Sequence, residues 1–436
     1  MLQWKHDIPT RYFATYEALE EAFRERIAGL VPRYHAGTRV FWEDFQQLYE
    51  SPQAPGPGDA EAYITINPRD CLAFGSPYQV LQAAWLAARQ HQASAPESPR
   101  HVAEKFGLGG QLHQAMRSLS GGETVRLALA KAYLAARHAD RLTIASPFSW
   151  LSLDHWTDFR MLAEHYGNCG TPLELFALEG EDSTAPAPFG GAPAPLTFAW
   201  RLKGLRLDLG TLMDHLHDRP VWAGVVPRDE TLDSPCLLCG DNGQGKSLVA
   251  KTLAAAMPYT GEASVHVSGA PLRARLLFQD VFNQTLMRSM RQLTSRGNTG
   301  PVAAVFEEIL AAMGTPSAAG RTQNLSSRVG QGDRNPPSLL ELKILLTAVR
   351  LAAGTTVLIL DEPDWGLSRS DAVAFVTAVV NAAHARSVPV ILISHKPWWQ
   401  NLARSVRWVW KETPAAPDAG GCLFQVHIQD RPGGDA

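Results

Sequence analysis

No uninterrupted apolar run in this sequence approaches the roughly 18 residues that a membrane-spanning helix requires, so direct insertion into a bilayer is not expected. Charge of one sign is also missing. The 40 basic residues stand against 43 acidic ones, a net −3 at pH 7, and no global field draws the chain toward nucleic acid or anionic lipid. Nucleic acid is therefore not an expected partner. The opening stretch, MLQWKHDIPTRYFATYEALEEAFRERIAGL, carries charges every few positions and lacks the apolar centre of a secretory signal. Cysteine is scarce: Cys71, Cys169, Cys236, Cys239 and Cys422 are odd in number and lack disulfide-framework spacing, which points to reduced thiols. These absences predict a cytoplasmic protein, peripheral to the inner face of a membrane only through a partner.

What the chain does have is length and apolar content. Its 436 residues, 45% of them apolar, suffice for two core-forming units. Segments rich in Pro, Gly and Ala interrupt it: SPQAPGPGDA from Ser51, STAPAPFGGAPAPL from Ser183 and TPAAPDAGG from Thr413 read as loops or linkers. The middle one is the natural boundary, giving a first half at residues 1–182, a linker at 183–197 and a second half at 198–436.

The order of elements repeats across that boundary. In the second half, TVLIL (Thr356 to Leu360) is a buried-strand run ending in Asp361-Glu362-Pro363; a helix-like stretch follows, then the strand VPVILIS reaching His395. In the first half, Leu142-Thr143-Ile144-Ala145-Ser146-Pro147 precedes a helix-like stretch and the strand TPLELFAL, which ends near Leu178. The interval from Pro147 to Pro172 matches that from Pro363 to Pro389 to within a single position. Strands alternating with helices predict an α/β fold with a mainly parallel sheet in each half and ligand loops at the carboxyl ends of the strands.

One segment carries explicit chemistry. Gly240-Asp241-Asn242-Gly243-Gln244-Gly245-Lys246-Ser247, followed by Leu248, has the phosphate-binding form GxxxxGK[ST] between an apolar strand-like run and a helix-forming stretch. Glycines let the backbone curl so that N–H groups converge on phosphates, and the helix N-terminus adds its positive end. Lys246 is placed to reach the β- and γ-phosphates, and Ser247 to coordinate magnesium. Asp361 and Glu362 close a β-run, where one carboxylate can hold magnesium and its neighbour can orient and deprotonate the attacking water. An acidic pair at a helix N-terminus is the alternative reading of those two residues.

GDNGQGKS, LLFQD, LSGGE, ILDEP and ISHKP resemble, in type and largely in spacing, the Walker A, Q-loop, signature, Walker B and switch motifs of the ATP-binding cassette (ABC) ATPases. The signature discriminates, because generic phosphate-loop enzymes have no LSGGE. Here Leu119-Ser120-Gly121-Gly122-Glu123 opens the helix-like run TVRLALAKAYL, and its glycines allow close backbone approach to a γ-phosphate with Ser120 as an added donor. A plain helix cap, Ser followed three residues on by Glu, would explain Ser120 and Glu123 alone. The resemblance implies two P-loop, ABC-like halves, each a sheet core with a helical subdomain, arranged head to tail. It implies ATP bound by Gly240 to Leu248 together with Ser120, Gly121 and Gly122, and Mg2+ held by Ser247, Asp361 and Gln279. Glu362 is the implied base, His395 the γ-phosphate sensor, and Gln279 the link from nucleotide to helical subdomain. Trp222 lies roughly where the family keeps an aromatic against adenine.

The first half has lost most of this set. No phosphate loop precedes its signature, the strand that ought to end in Asp-Glu-Pro ends in Ala145-Ser146-Pro147, and the switch position falls on Leu178. Counting back from Pro363 over the interval that separates Pro147 from Leu119 puts the second signature at Asn335-Pro336-Pro337-Ser338, where prolines remove backbone donors. Each half is defective in a complementary way. In the family the phosphate loop of one cassette faces the signature of the other, so the resemblance implies one composite site uniting Lys246 and Ser120, within one chain or between two. The interval from Gln279 to Pro336 is close to that from Asn67 to Ser120, so a degenerate Q-loop position is expected at Asn67.

Cys236-Leu-Leu-Cys239 has metal-like spacing but reads as buried strand, and Trp398, Trp399, Trp408 and Trp410 read as packing. The expected function is ATP hydrolysis that couples closure of the two halves to a protein partner, as the energising subunit of a transporter whose membrane subunits it contacts. The rival expectation is a soluble ABC ATPase that remodels a protein or nucleoprotein.

Overall fold

The computed structural model describes residues 8–13, 18–19, 22–23, 61–72, 75–90, 96–116, 119–151, 153–178, 196–208, 222–226, 228–241, 243–267, 269–279, 281–284, 299–314, 339–412 and 422–430. These fall into two compact units, one holding the described residues up to Leu178 and the other those from Leu196. Among the described residues, no helix is long and apolar enough to cross a membrane.

In the first unit, β1 (Thr10–Phe13), β2 (Glu61–Ile64), β3 (Arg141–Ala145) and β4 (Leu173–Leu178) form a sheet in the order β1-β4-β3-β2, every pair parallel. All six residues of β4 are buried, as expected of a strand covered on both faces of a parallel sheet. Helices α1 (Pro77–Gln90), α2 (Pro99–Lys105) and α3 (Gly121–Ala135) come between β2 and β3, and α4 (Leu153–Cys169) between β3 and β4. The start of α2 is fixed by Ser98, whose side chain accepts from the His101 N–H, with Pro99 in the first turn where its missing donor costs nothing.

The second unit contains, in chain order, β5 (Leu196–Asp208), β6 (Trp222–Val225), β7 (Arg228–Ser234), β8 (Cys236–Cys239), α5 (Lys246–Leu253), β9 (Tyr259–Val267), β10 (Ala270–Leu272) and β11 (Ala274–Leu277). There follow α6 (Thr299–Ala312), α7 (Leu339–Ala352), β12 (Val357–Asp361), α8 (Arg369–His384), β13 (Val390–Ile393), β14 (Ser405–Glu412) and β15 (Cys422–Gln429). One sheet runs β10-β9-β5-β6-β15-β14-β8-β13-β12-β11, with β7 paired to β5. From β14 to β11 every pair is parallel, and β8, β12 and β13 are buried throughout. A largely antiparallel portion extends this parallel core from β14 outward to β10. The sequence carried a sign of it in β5, where buried Phe198, Trp200 and Leu202 alternate with less buried neighbours, the period of a half-covered antiparallel strand.

The order β8-β13-β12-β11 repeats β1-β4-β3-β2, and backbone register aligns the two units residue by residue. Ala145 pairs with Phe176 as Asp361 pairs with Ile393. The next N–H in each, Ser146 and Glu362, donates to that partner's carbonyl at 2.6 and 2.8 Å, and both residues take a left-handed backbone, φ 51° and 47°. Ser146 thus stands where Glu362 stands, and Leu178, two residues past Phe176, stands where His395 does. Arg11 pairs with Phe176 as Leu238 pairs with Ile393, which makes β1 the counterpart of β8 and puts Phe13 in the place of Gly240. The sequence after Phe13, ATYEALEE, contains neither glycine nor lysine.

The same register corrects one expectation. Glu61 pairs with Arg141 as Ala274 pairs with Val357, so Ile66, not Asn67, matches Gln279. Asn67 instead accepts from the Arg69 N–H at 3.2 Å and caps a short 3-10 turn. The expected second signature at Asn335-Pro336-Pro337-Ser338 lies outside the described residues, as does Asn242.

Candidate active site

The phosphate-loop segment leaves the carboxyl end of β8 between β13 and β14 and runs into α5. Its path requires glycine at both ends. Gly240 has φ 141°, and a Cβ there would lie 2.2 Å from the backbone oxygen of Val409; Gly245 has φ 97°, and a Cβ would lie 2.7 Å from Val426 Cγ2. Gln244 anchors the middle by accepting from the Lys411 N–H at 2.8 Å. Asp241 and Gly243 are exposed, whereas Gly245, Ser247 and Leu248 are partly buried. Gly240→Ala is expected to lower stability by about 2 kcal/mol, because the obstacle is backbone and cannot swing aside. A lower melting temperature together with weakened nucleotide binding checks this.

Lys246 is buried, and its Nζ donates to the carbonyls of Gly240 and Asp241 at 2.8 and 2.9 Å, folded back over its own loop. Ser247 donates its hydroxyl to Asp361 Oδ1 at 3.1 Å, which ties the start of α5 to the end of β12. Asp361 is pushed up to about 6 by burial and by the charge of Glu362, against the lowering effect of Ser247. A buried carboxylate so destabilised, beside a hydroxyl oxygen, is a donor set suited to a hard divalent cation, and Ser247 and Asp361 are the residues that would hold Mg2+.

Glu362 is buried, and its Oε1 lies 3.1 Å from His395 Nδ1. Burial pushes its carboxyl up, but charge and hydrogen bonding from His395 outweigh this and hold it below the ordinary range. The other imidazole nitrogen, Nε2, is buried with no hydrogen-bond partner among the described residues, an orphaned group that a phosphate oxygen could satisfy. Ser394 Oγ lies 3.4 Å from Glu362 Oε2 and 3.1 Å from Asp364 Oδ1. Asp364 is itself buried and raised by that burial and by Glu362. Ser394, Asp364 and the buried Lys343 were not picked out from the sequence. The available signals were an acid directly after DEP and a lysine inside the apolar run LLELKILLTAV.

The remaining predicted residues are placed less tightly. Gln279 lies two residues beyond β11, at the same end of the sheet as Asp361, and among the described residues its side chain makes no hydrogen bond to Asp361 or Ser247. Trp222 begins β6, whose partner β15 supplies Val426 against Gly245. Cys236 and Cys239 are buried in β8, where burial raises the Cys236 thiol far above its usual range. Trp399 is fully buried, and Trp410 stacks on His427 with centroids 4.0 Å apart.

In the first unit, Ser120 caps α3 through a full capping box. Its hydroxyl accepts from the Glu123 N–H at 3.2 Å, and Glu123 Oε2 accepts from the Ser120 N–H at 2.8 Å. Capping and a ligand role are compatible, since a hydroxyl that accepts one hydrogen bond keeps its own hydrogen to donate. Ser120, Gly121 and Gly122 are each partly exposed.

No protein-family model matches the chain. Over 180 residues it is 28% identical to the xylose import ATP-binding protein XylG of Pseudomonas syringae pv. tomato strain DC3000, covering 36% of this chain and 32% of that protein. The protein of the same name from P. syringae pv. syringae strain B728a is 27% identical over 175 residues, covering 36% and 33%. The chain thus spans about a third of the length of the curated relatives it matches. Among solved structures, archaeal ABCE1 in a ribosome-bound assembly with Pelota aligns with TM-score 0.56 at 15% identity, over 96% of this chain and 69% of that one. The fold is that of the ABC ATPases. More particularly, it is the two-half form, with the segments GDNGQGKS, ILDEP and ISHKP in the second half and LSGGE in the first.

Proposed function

We propose that the chain binds Mg-ATP at one composite site and hydrolyses it, with closure of the two halves coupled to a protein partner. The observation that carries this reading is the pairing of Ser247 with buried Asp361 and of buried Glu362 with His395, at the start of α5 and the ends of β12 and β13. Glu362 takes a proton from the water that attacks the γ-phosphorus in line, the bond from that phosphorus to the bridging oxygen breaks, and ADP and phosphate result. Lys246 and the His395 Nε2 are the groups available to charge on the transferred phosphoryl. Mg2+ would add positive charge against the β- and γ-phosphates. The LSGGE loop completes the site, since the half that holds Lys246 has prolines where its own signature is expected. ATP performs work on a partner only through a higher affinity for the closed state.

Hydrolysis of Mg-ATP by the full chain, compared with Lys246→Ala, tests the reading. Turnover is expected to fall on the order of 10²-fold. Equal turnover in both would refute ATPase action at this site. For the partner, we propose multi-span transporter subunits, a reading supported by sequence similarity to xylose import ATP-binding proteins over 36% of the chain. Purification of the tagged full chain with its partner decides it: multi-span membrane proteins are expected, whereas a soluble enzyme or nucleoprotein would replace the transport reading and leave the ATPase reading standing.

A further inference from the structure

The two units share a left-handed turn but close it differently, and the difference picks out a residue. In the first unit, the Ser149 N–H donates to Ser146 O at 3.2 Å and the Leu151 N–H to Pro147 O at 2.9 Å, so the turn closes on its own backbone. In the second, the Trp365 N–H donates to Glu362 O at 3.0 Å, the same bond, but the Leu367 N–H goes to Asp364 O at 3.1 Å. Among the described residues, the carbonyl of Pro363 therefore lacks the backbone donor that its counterpart has. Lys343 Nζ takes it, at 2.7 Å.

Lys343 lies inside α7 and is 1% exposed. Leu127, also fully buried, stands as far before Pro147 as Lys343 stands before Pro363. The same helix position thus holds leucine in the half without catalytic carboxylates and lysine in the half with them. Burying an ammonium is unfavourable unless it is well paired, and a hydrophobic residue of similar size is often as stable or more so. The fold does not demand the lysine, because the first unit reaches the same left-handed backbone at Ser146 with leucine in place. What the lysine accompanies is the opened turn, in which Asp364 sits beside Ser394; their counterparts are Phe148 and Ala177.

We infer that Lys343 is a positioning residue for the base: by holding the Pro363 carbonyl it fixes the opened turn and with it the aim of the Glu362 carboxylate. The inference rests on the proposed role of Glu362. Without the ammonium, a buried carbonyl is left unsatisfied, and the peptide next to Glu362 rotates toward another donor. A small misplacement of a reacting group is enough to slow chemistry without weakening binding.

The experiment compares Lys343→Met, which keeps length and burial, with Glu362→Gln and the parent chain. For Lys343→Met, kcat is expected to fall on the order of 10²-fold while KM for ATP stays within about twofold and cooperative melting is kept. Parental kcat in Lys343→Met, with turnover lost in Glu362→Gln, overturns the inference and leaves the base assignment intact. Turnover retained in Glu362→Gln defeats the base assignment itself. Parallel loss of nucleotide affinity and kcat also overturns the inference, because it marks general damage. Should Lys343→Met fail to fold, Lys343→Gln is judged by the same criteria, and unchanged kcat there overturns the inference.

Discussion

Glu362→Gln is expected to lower ATP turnover by on the order of 10³-fold while nucleotide binding is retained. The two effects separate because of where the residue sits. Its carboxylate faces His395 and Ser394 at the end of β12, whereas Lys246 and Ser247, the residues proposed to meet the phosphates, lie at the start of α5. Glutamine keeps the size and can still meet both neighbours, so the left-handed turn and its bond to Ile393 remain. What is lost is the ability to accept a proton. Steady-state phosphate release checks the first effect, and equilibrium binding of labelled ATP checks the second. Turnover at the parental rate would remove Glu362 from the base role.

The second large effect is expected in the other half. Gly122→Asp is expected to lower turnover by on the order of 10²-fold, matching Lys246→Ala although the two positions lie far apart in sequence. Gly122 lies in the first turn of α3, where an acidic residue favours the helix by about 0.3–1 kcal/mol through its dipole. The dipole gives the variant no reason to unfold, and a melting temperature at the parental value separates the loss from general damage. In the proposed composite site, the added carboxylate would oppose the negative charge of the nucleotide phosphates. Ser120→Ala acts in the same direction through lost hydrogen bonding and weakens the capping box as well, so Gly122→Asp is the cleaner variant. Parental turnover in Gly122→Asp would detach the first half from the site.

Much of the candidate site was legible because its chemistry is local in sequence. The glycines before Lys246, the acids after a buried apolar run and the histidine at the next strand end each lie in one short segment with a recognisable flank. Register then places Ala145, Ser146 and Leu178 at the positions of Asp361, Glu362 and His395. What sequence spacing missed depends on distant segments. Thr10–Phe13 is too short and polar to announce itself, yet parallel pairing with β4 makes it the counterpart of the strand that leads into the phosphate loop. Asn67 was placed by counting back from Ser120 over a sequence interval that differs in length between the halves; strand register moves the match to its neighbour, Ile66. Lys343 lies well before the carbonyl it holds and reads in sequence as an interruption of an apolar helix.

The antiparallel strands β5, β7 and β9 were hidden for a different reason. The alternate burial of β5 resembles that of many surface strands and β9 is mostly exposed or half-buried, so only their pairing shows that one sheet joins them through β6, β15 and β14 to the strand before the phosphate loop. That connection supplies Val409 and Val426, the two residues that force glycine at positions 240 and 245.

The central claim is that one working ATP site exists per chain and that both halves contribute to it. The nucleotide trapped by Glu362→Gln after removal of free ATP measures this directly. One ATP per chain, lost when Gly122→Asp is added, is the predicted result; two per chain, or one that survives Gly122→Asp, would contradict it.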